Sequence, residues 1–354
     1  MATIVLSEPA TKTESDFMSA TLDMEILEKV VGVPDVEVSS PDWSVILNRA
    51  TVTAEELQEM KIQEREFLLQ PFFKVGDFGI LYAQRGVGKT WLGYLIARGV
   101  AQGTNVGLWT CPKACPVLVV DGEMPLDLTK ERDKQFATGN ANLFFLHHQV
   151  LYDRTEMELN LTSPQIQYAL ENLCVERRIA LLILDNQSTL LAGVSETDPD
   201  AWNLIQPFLL RLQRRGIAVL LVVHAGRNNQ ARGHSRREDR TSWMISLTDR
   251  KEDESEGAKF ISEFAKPSRV CPLLDTPPLL WGFTRGADGR THYTCKILTK
   301  LDQFRQCLEV GMGDDPGAIA EALKVSAGYV SKLAAKSIAA GWCKKEGRGY
   351  ALVS

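Results

Sequence analysis

Residues 83–90 read AQRGVGKT, an Ala-x4-Gly-Lys-Thr pattern. An apolar run, FGILY, precedes it, and a helical pattern, TWLGYLIARGV, follows. That context makes the stretch a phosphate-binding loop. Ala83, Gln84, Arg85, Gly86, Val87, Gly88, Lys89 and Thr90 form a turn whose backbone N–H groups converge on one point at a helix N-terminus, where phosphate oxygens bind. Gly86 and Gly88 let the backbone approach closely. Lys89 places a positive charge on β- and γ-phosphates, and the Thr90 hydroxyl is a ligand for Mg²⁺. ATP and Mg²⁺ are the expected cofactors. The first position is Ala83 where the usual pattern has Gly, a minor departure.

Two more stretches carry carboxylates at strand ends. ALLILDNQS (180–188) is a buried strand ending in Asp185. A carboxylate there can hold the Mg²⁺ shell, the Walker B role, though an Asp in that place can also cap a helix. The next residue, Asn186, cannot act as a base, so a general base must come from elsewhere. VLVVDGEMPLDLTKER (117–132) supplies it. Glu123 stands just beyond a strand that follows the phosphate loop, and strand ends on one sheet edge face a shared crevice. Glu123 is therefore assigned to orient and deprotonate the attacking water. The competing reading is a helix N-cap or first-turn acid ahead of Pro125. Asp121 is read as structural.

The phosphate loop, GEMP (122–125), LLILDN (181–186) and a strand ending in His224 together resemble the RecA-like ATPases. Within them the chain is similar to the hexameric plasmid replicative helicases of the RepA type, and more distantly to DnaB-type helicases. The resemblance covers about residues 70–296. It implies that His224 senses the γ-phosphate and signals to loops that contact DNA; a satisfied strand-end His is the plainer alternative. It matches ARGHS (231–235) to a stretch that supplies an arginine finger to a neighbouring subunit, which makes Arg232 the candidate. Arg227, Arg236, Arg237 and Arg240 lie nearby and compete for that role or for nucleic-acid contact. Arg132 matches a basic position near the phosphates, with a helix-surface charge as the alternative. Lys266, in FAKPSR, matches a strand-end Lys that reaches nucleotide across a subunit contact.

Around these residues the pattern from 78 to 265 is α/β. Short apolar runs at 78–83, 117–121, 181–185 and 217–223 alternate with helical segments at 89–102, 125–137, 164–177 and 199–214. Such alternation predicts a mostly parallel sheet with helices on both faces. Strands near 243–248 and 259–265, and a hairpin over 279–297 turning at Asp288-Gly289, follow. TAEELQEMKIQEREFLL (53–69) predicts a helix after a Thr cap. Residues 1–52 read as largely irregular and acidic, with a short helix at 21–31. The last forty residues read as helix, turn, second helix and hairpin, the economical pattern of a winged helix. The expected organisation is thus an N-terminal segment 1–52, a RecA-like domain 53–300 and a winged-helix-like domain 301–354.

The chain has 354 residues, 44% hydrophobic, and net charge −5. That suits a globular protein with one large core and a smaller unit. Residues 1–70 hold 14 acidic and 5 basic side chains, while residues 315–354 hold 3 acidic and 6 basic. A mildly basic tail fits an anionic partner, though a solvated surface gives the same counts. No apolar run approaches the ~18–20 residues of a membrane helix. No secretory signal opens the chain, so it reads as cytoplasmic with no membrane partner. The seven Cys are scattered, and CPKAC (111–115) has the wrong spacing for common zinc motifs, which favours free thiols.

Three functions are compatible with these features: an ATP-driven nucleic-acid motor, a DNA-binding regulatory or loader ATPase without unwinding, and a small-molecule phosphotransferase. The last leaves Glu123 and the Arg-rich loop unexplained. The preferred reading is a replicative-type ring helicase of a plasmid, phage or integrated element, acting on DNA as a homo-oligomer, with a hexamer as the family precedent. Lys332, Lys336, Lys344, Lys345 and Arg348 would make the tail's phosphate contacts; a protein-docking role is the alternative.

Overall fold

Valine, isoleucine and leucine runs too short for helices become the strands of one central sheet. The computed structural model describes residues 41–136, 139–193, 199–225, 240–250, 257–266 and 276–353; of 199–201 and 266 only the backbone is described. Contacts divide the chain into a unit ending at Glu66 and a unit starting at Phe67. In the first, α1 (Trp43–Ala50) is capped by Asp42 and α2 (Ala54–Glu59) by a Thr53–Glu56 capping box; neither buries a residue. The helix expected over 53–69 is therefore short. Its last part, Phe67–Leu69, is instead β1, which pairs with β2 (Phe73–Lys74) and buries Leu68 and Leu69 in the core of the second unit. The helix expected at 21–31 lies outside the described residues.

The second unit is built on a nine-stranded sheet. Its strands are β3 (Phe78–Ala83), β4 (Val117–Asp121), β5 (Leu143–His147), β6 (Leu181–Asp185), β7 (Ala218–His224), β8 (Trp243–Asp249), β9 (Ala258–Lys266), β10 (Leu279–Arg285) and β11 (Thr291–Ile297). The order is β11-β10-β9-β8-β3-β7-β6-β4-β5. Strands β8 to β5 in that list run parallel. Strands β9, β10 and β11 extend the sheet antiparallel. The fold class is α/β with a large, mostly parallel sheet, as the alternating pattern predicts. Strand β5 and the helix α5 (His148–Thr155) are elements the sequence pattern does not reveal.

Both faces of the parallel part are covered, so β3, β4, β6 and β7 are buried throughout. Along β3, Leu81 and Ala83 face one core while Phe78, Ile80 and Tyr82 face the other. The first core is closed by α3 (Lys89–Gln102), through Leu92, Leu95, Ile96 and Val100. The second is closed by α6 (Pro164–Glu176) and α8 (Pro199–Arg214), through Leu170, Cys174, Ile205, Phe208 and Leu212. These two helices are also pinned by the buried Glu171 carboxylate, which accepts from Arg211 Nε at 2.7 Å and Arg215 Nε at 2.6 Å. Strand β3 can lie against the Trp243 ring only because residue 79 is glycine; a Cβ there would sit 2.1 Å from it.

Two short helices follow the strand ends: α4 (Leu126–Gln135) after β4 and α7 (Gln187–Leu190) after β6. The tail contains α9 (Lys300–Glu309), α10 (Pro316–Leu323), α11 (Ala327–Ala339) and a hairpin of β12 (Cys343–Glu346) with β13 (Gly349–Leu352). Phe304, Ile319, Leu323, Val330 and Leu333 give it a core of its own. Helix α9 was not anticipated from the sequence.

Candidate active site

The site is a row of strand ends. Parallel register puts Ala83 of β3 beside His224 of β7, and Asp121 of β4 beside Asp185 of β6. Strand β4 follows the phosphate loop in sequence, yet β7 and β6 lie between it and β3 in space. At normal strand spacing that is about 14 Å. Glu123 therefore reaches the crevice on its loop, from a strand that is not a neighbour of β3.

The phosphate loop leaves β3 and enters α3. Gly88 is the N-cap of α3 and no side chain caps that end, so its first-turn N–H groups are available to an anion. Gly88 has φ 127°, and a Cβ would meet the Phe260 ring at 2.5 Å, so only glycine fits. Lys89 is buried and folds back on the loop, donating from Nζ to Ala83 O and Gln84 O, each at 2.9 Å. Burial lowers its ammonium to about 8, against the opposing pull of the Asp185 and Glu123 carboxylates. Phosphate oxygens placed beside it would favour the charged form of this desolvated ammonium.

Thr90 donates its hydroxyl hydrogen bond to Asp185. Burial above all, then the neighbouring Asp121 and Glu123, push the Asp185 carboxyl up to about 7. A divalent cation would relieve this crowding. Mg²⁺ keeps several waters and uses one or two protein ligands beside substrate phosphates. Thr90 and Asp185 fit that donor set. Among the described residues, no three His, Cys, Asp or Glu side chains converge to hold a metal by themselves.

Asp185→Asn should separate the two demands on this residue. An acid raised in the folded chain loses stability as pH climbs from its unfolded pKa near 4 to about 7, and the deficit persists above. The Asn variant carries no charge and keeps an acceptor for Thr90. It should melt above the wild-type protein at pH 8 without nucleotide, by a few kcal/mol at most, with the gap closing towards pH 4. Its Mg²⁺-dependent hydrolysis should be lost. Thermal melts at both pH values check the first part; a variant less stable at pH 8 would contradict it.

Asp121 shapes the turn that carries Glu123. Its Oδ1 accepts from Glu123 N at 3.1 Å and Met124 N at 3.0 Å, and its Oδ2 accepts from Thr129 Oγ1 at 3.0 Å. Gly122 N extends the ladder to Asp185 O at 2.9 Å. Asp121 is thus structural, as expected. Glu123 is no helix cap, since α4 starts at Leu126 behind Pro125. Its Oε2 accepts from Asn186 Nδ2 and lies 3.8 Å from His224 Nε2. The same Asn186 nitrogen is 3.2 Å from His224 Nε2. Arg132 on α4 lies over the Trp91 ring, 5.5 Å from its centroid, against the first turn of α3.

The sequence-predicted residues Ala83–Thr90, Glu123, Asp185 and His224 are thus brought to one edge, with Arg132 flanking it. Lys266 is not. Its backbone pairs with Met244, level with Ile80, at the end of the sheet away from the loop. Arg232 lies outside the described residues, as do Arg227, Arg236 and Arg237. Asn186 cannot be a base, and the sequence pattern assigns it no role in hydrolysis. The available signal was its place directly after a strand-end Asp, where an Asn also caps the next helix.

A mostly parallel sheet with a phosphate loop leaving β3, a carboxylate ending β6 and an acid just beyond β4 has the layout of a P-loop ATPase. A family model described as AAA domain matches residues 45–230, more than half of the chain, and the chain belongs to that family. No curated protein matches it. Among solved structures, the KaiC-like protein of the hyperthermophilic archaeon Pyrococcus horikoshii OT3 is similar at 14% identity, with a TM-score of 0.43, over 66% of this chain and 99% of that one. No described helix is long and apolar enough to cross a membrane.

Proposed function

We propose that this ATPase is a nucleic-acid motor, a replicative-type ring helicase that works on DNA as a homo-oligomer. The observation that carries the reading is the placement of Glu123. It stands off β4, the strand paired beside the Walker B strand, and meets Asn186 and His224 at the crevice. The motif set it belongs to resembles that of ring helicases. Bound ATP with Mg²⁺ supplies an electrophilic γ-phosphoryl group. Lys89 would offset phosphate charge, Thr90 and Asp185 would hold the metal, and Glu123 would take the proton of the attacking water on a carboxylate oxygen. Arg232 of a neighbouring subunit stabilises the charge that develops. His224, at the end of β7, links this chemistry to the chain that follows it.

The tail supports an anionic partner. We read helices α10 and α11 with the β12–β13 hairpin as a winged helix. Lys332 and Lys336 are exposed one turn apart on α11, and Lys344, Lys345 and Arg348 are exposed on the hairpin. Such a face makes phosphate contacts that fix register on a duplex.

The test pairs two measurements: ATPase rate with and without single-stranded DNA, and particle mass with and without ATP. The motor reading expects stimulation by DNA and a closed assembly. A DNA-indifferent monomer would favour a regulatory or loader ATPase. DNA affinity should also fall linearly in log–log form with salt. Loss of that slope in a Lys332→Glu/Lys336→Glu variant would place the tail on the nucleic acid; an unchanged slope would assign it to protein docking.

A further inference from the structure

We infer that Asn186 is a positioning residue for hydrolysis, the side chain that holds Glu123 and His224 in one arrangement. This rests on the reading of Glu123 as the base. Asn186 is 1% exposed, while the Glu123 side chain is 42% exposed. An exposed glutamate on a short loop has several rotamers, and ordering one costs side-chain entropy. Asn186 and His224 are side-chain neighbours of its carboxylate.

The amide of Asn186 can face only one way. Its Oδ1 accepts from Thr189 N at 3.3 Å and so caps α7. The backbone carbonyl of Asn186 separately accepts from Leu190 N at 3.2 Å and from Thr189 Oγ1 at 3.1 Å. Flipping the side chain would turn its NH₂ towards the Thr189 N–H and its oxygen towards a carboxylate. The NH₂ group therefore points at the crevice, with one N–H for Glu123 Oε2 and one for His224 Nε2. His224 accepts through Nε2, which places its own ring proton on Nδ1. A donor fixed to one carboxylate oxygen leaves the other oxygen to take a proton from water. It also means that any shift of His224 changes what the amide offers to Glu123.

Two variants test this without removing the cap. Asn186→Ser keeps a capping oxygen but is too short to reach Glu123. Asn186→Asp keeps both size and cap, and sets a carboxylate against a carboxylate. Losing one charge-assisted hydrogen bond should lower kcat roughly ten- to a hundredfold in the Ser variant. The Asp variant should lose at least as much. KM and Kd for ATP should stay at wild-type values, because the phosphate loop is untouched, and that binding also reports an intact fold. In a cycle with His224→Ala, the double variant should be no slower than the slower single variant. Wild-type kcat in both Asn186 variants, or effects that multiply in the cycle, would overturn the inference while Glu123→Gln stays inactive. An active Glu123→Gln would overturn the base reading and this inference together.

Discussion

Glu123→Gln is expected to bind ATP with wild-type affinity and to hydrolyse it about 10²–10⁴ times more slowly, the usual cost of losing a general base. The change is close to isosteric. The amide oxygen still accepts from Asn186 Nδ2, and the turn is held by the Asp121 carboxylate through the backbone of Glu123 and Met124. What disappears is a basic oxygen for the water's proton. The loss should therefore fall on kcat, with a trapped nucleotide-bound state as its visible sign. Single-turnover hydrolysis and equilibrium nucleotide binding measure the two sides separately. Weak binding in this variant would mean that Glu123 supports the nucleotide or the fold. Wild-type turnover would remove Glu123 from the chemistry.

The second large effect depends on assembly. Arg232→Ala should lower turnover by about 10³–10⁵, the value of an arginine that stabilises a transferring phosphoryl group. Lys89→Ala should be equally inactive for a different reason, since it removes the buried cation at the loop. If Arg232 acts on the neighbouring subunit's site, mixing the two inactive proteins creates some interfaces with both Lys89 and Arg232 intact. Activity should then reappear in the mixture, rising and falling with the mixing ratio. A mixture that stays inactive at every ratio, from a protein that stays monomeric with ATP and DNA, would make Arg232 a local residue. Recovery cannot come from either protein alone, so the experiment separates a trans contribution from a damaged fold.

What the sequence by itself determined is local. A Gly-Lys-Thr loop between an apolar strand and a helix has one good conformation, because its glycines and the helix N-terminus leave little choice. Asp185 at the end of LLILD, the parallel strands 78–83, 117–121 and 181–185, and the helices 89–102 and 199–214 follow from short β-rich runs and helical spacing. Elements whose character comes from packing were not legible. LFFLH (143–147) becomes a parallel edge strand only because β4 is there to pair with it. Phe67–Leu69 carries a helical pattern and turns into β1 because its burial in the core beside Phe72 and Phe73 outweighs local propensity. The site itself was the decision of the tertiary structure. Sequence order places Glu123 one strand after the phosphate loop, whereas the sheet inserts β7 and β6 between them. That insertion sets Asn186 between Glu123 and His224. Three residues 38 to 101 positions apart meet there because parallel strands in register bring their ends to one edge, a long-range pairing that no local pattern encodes.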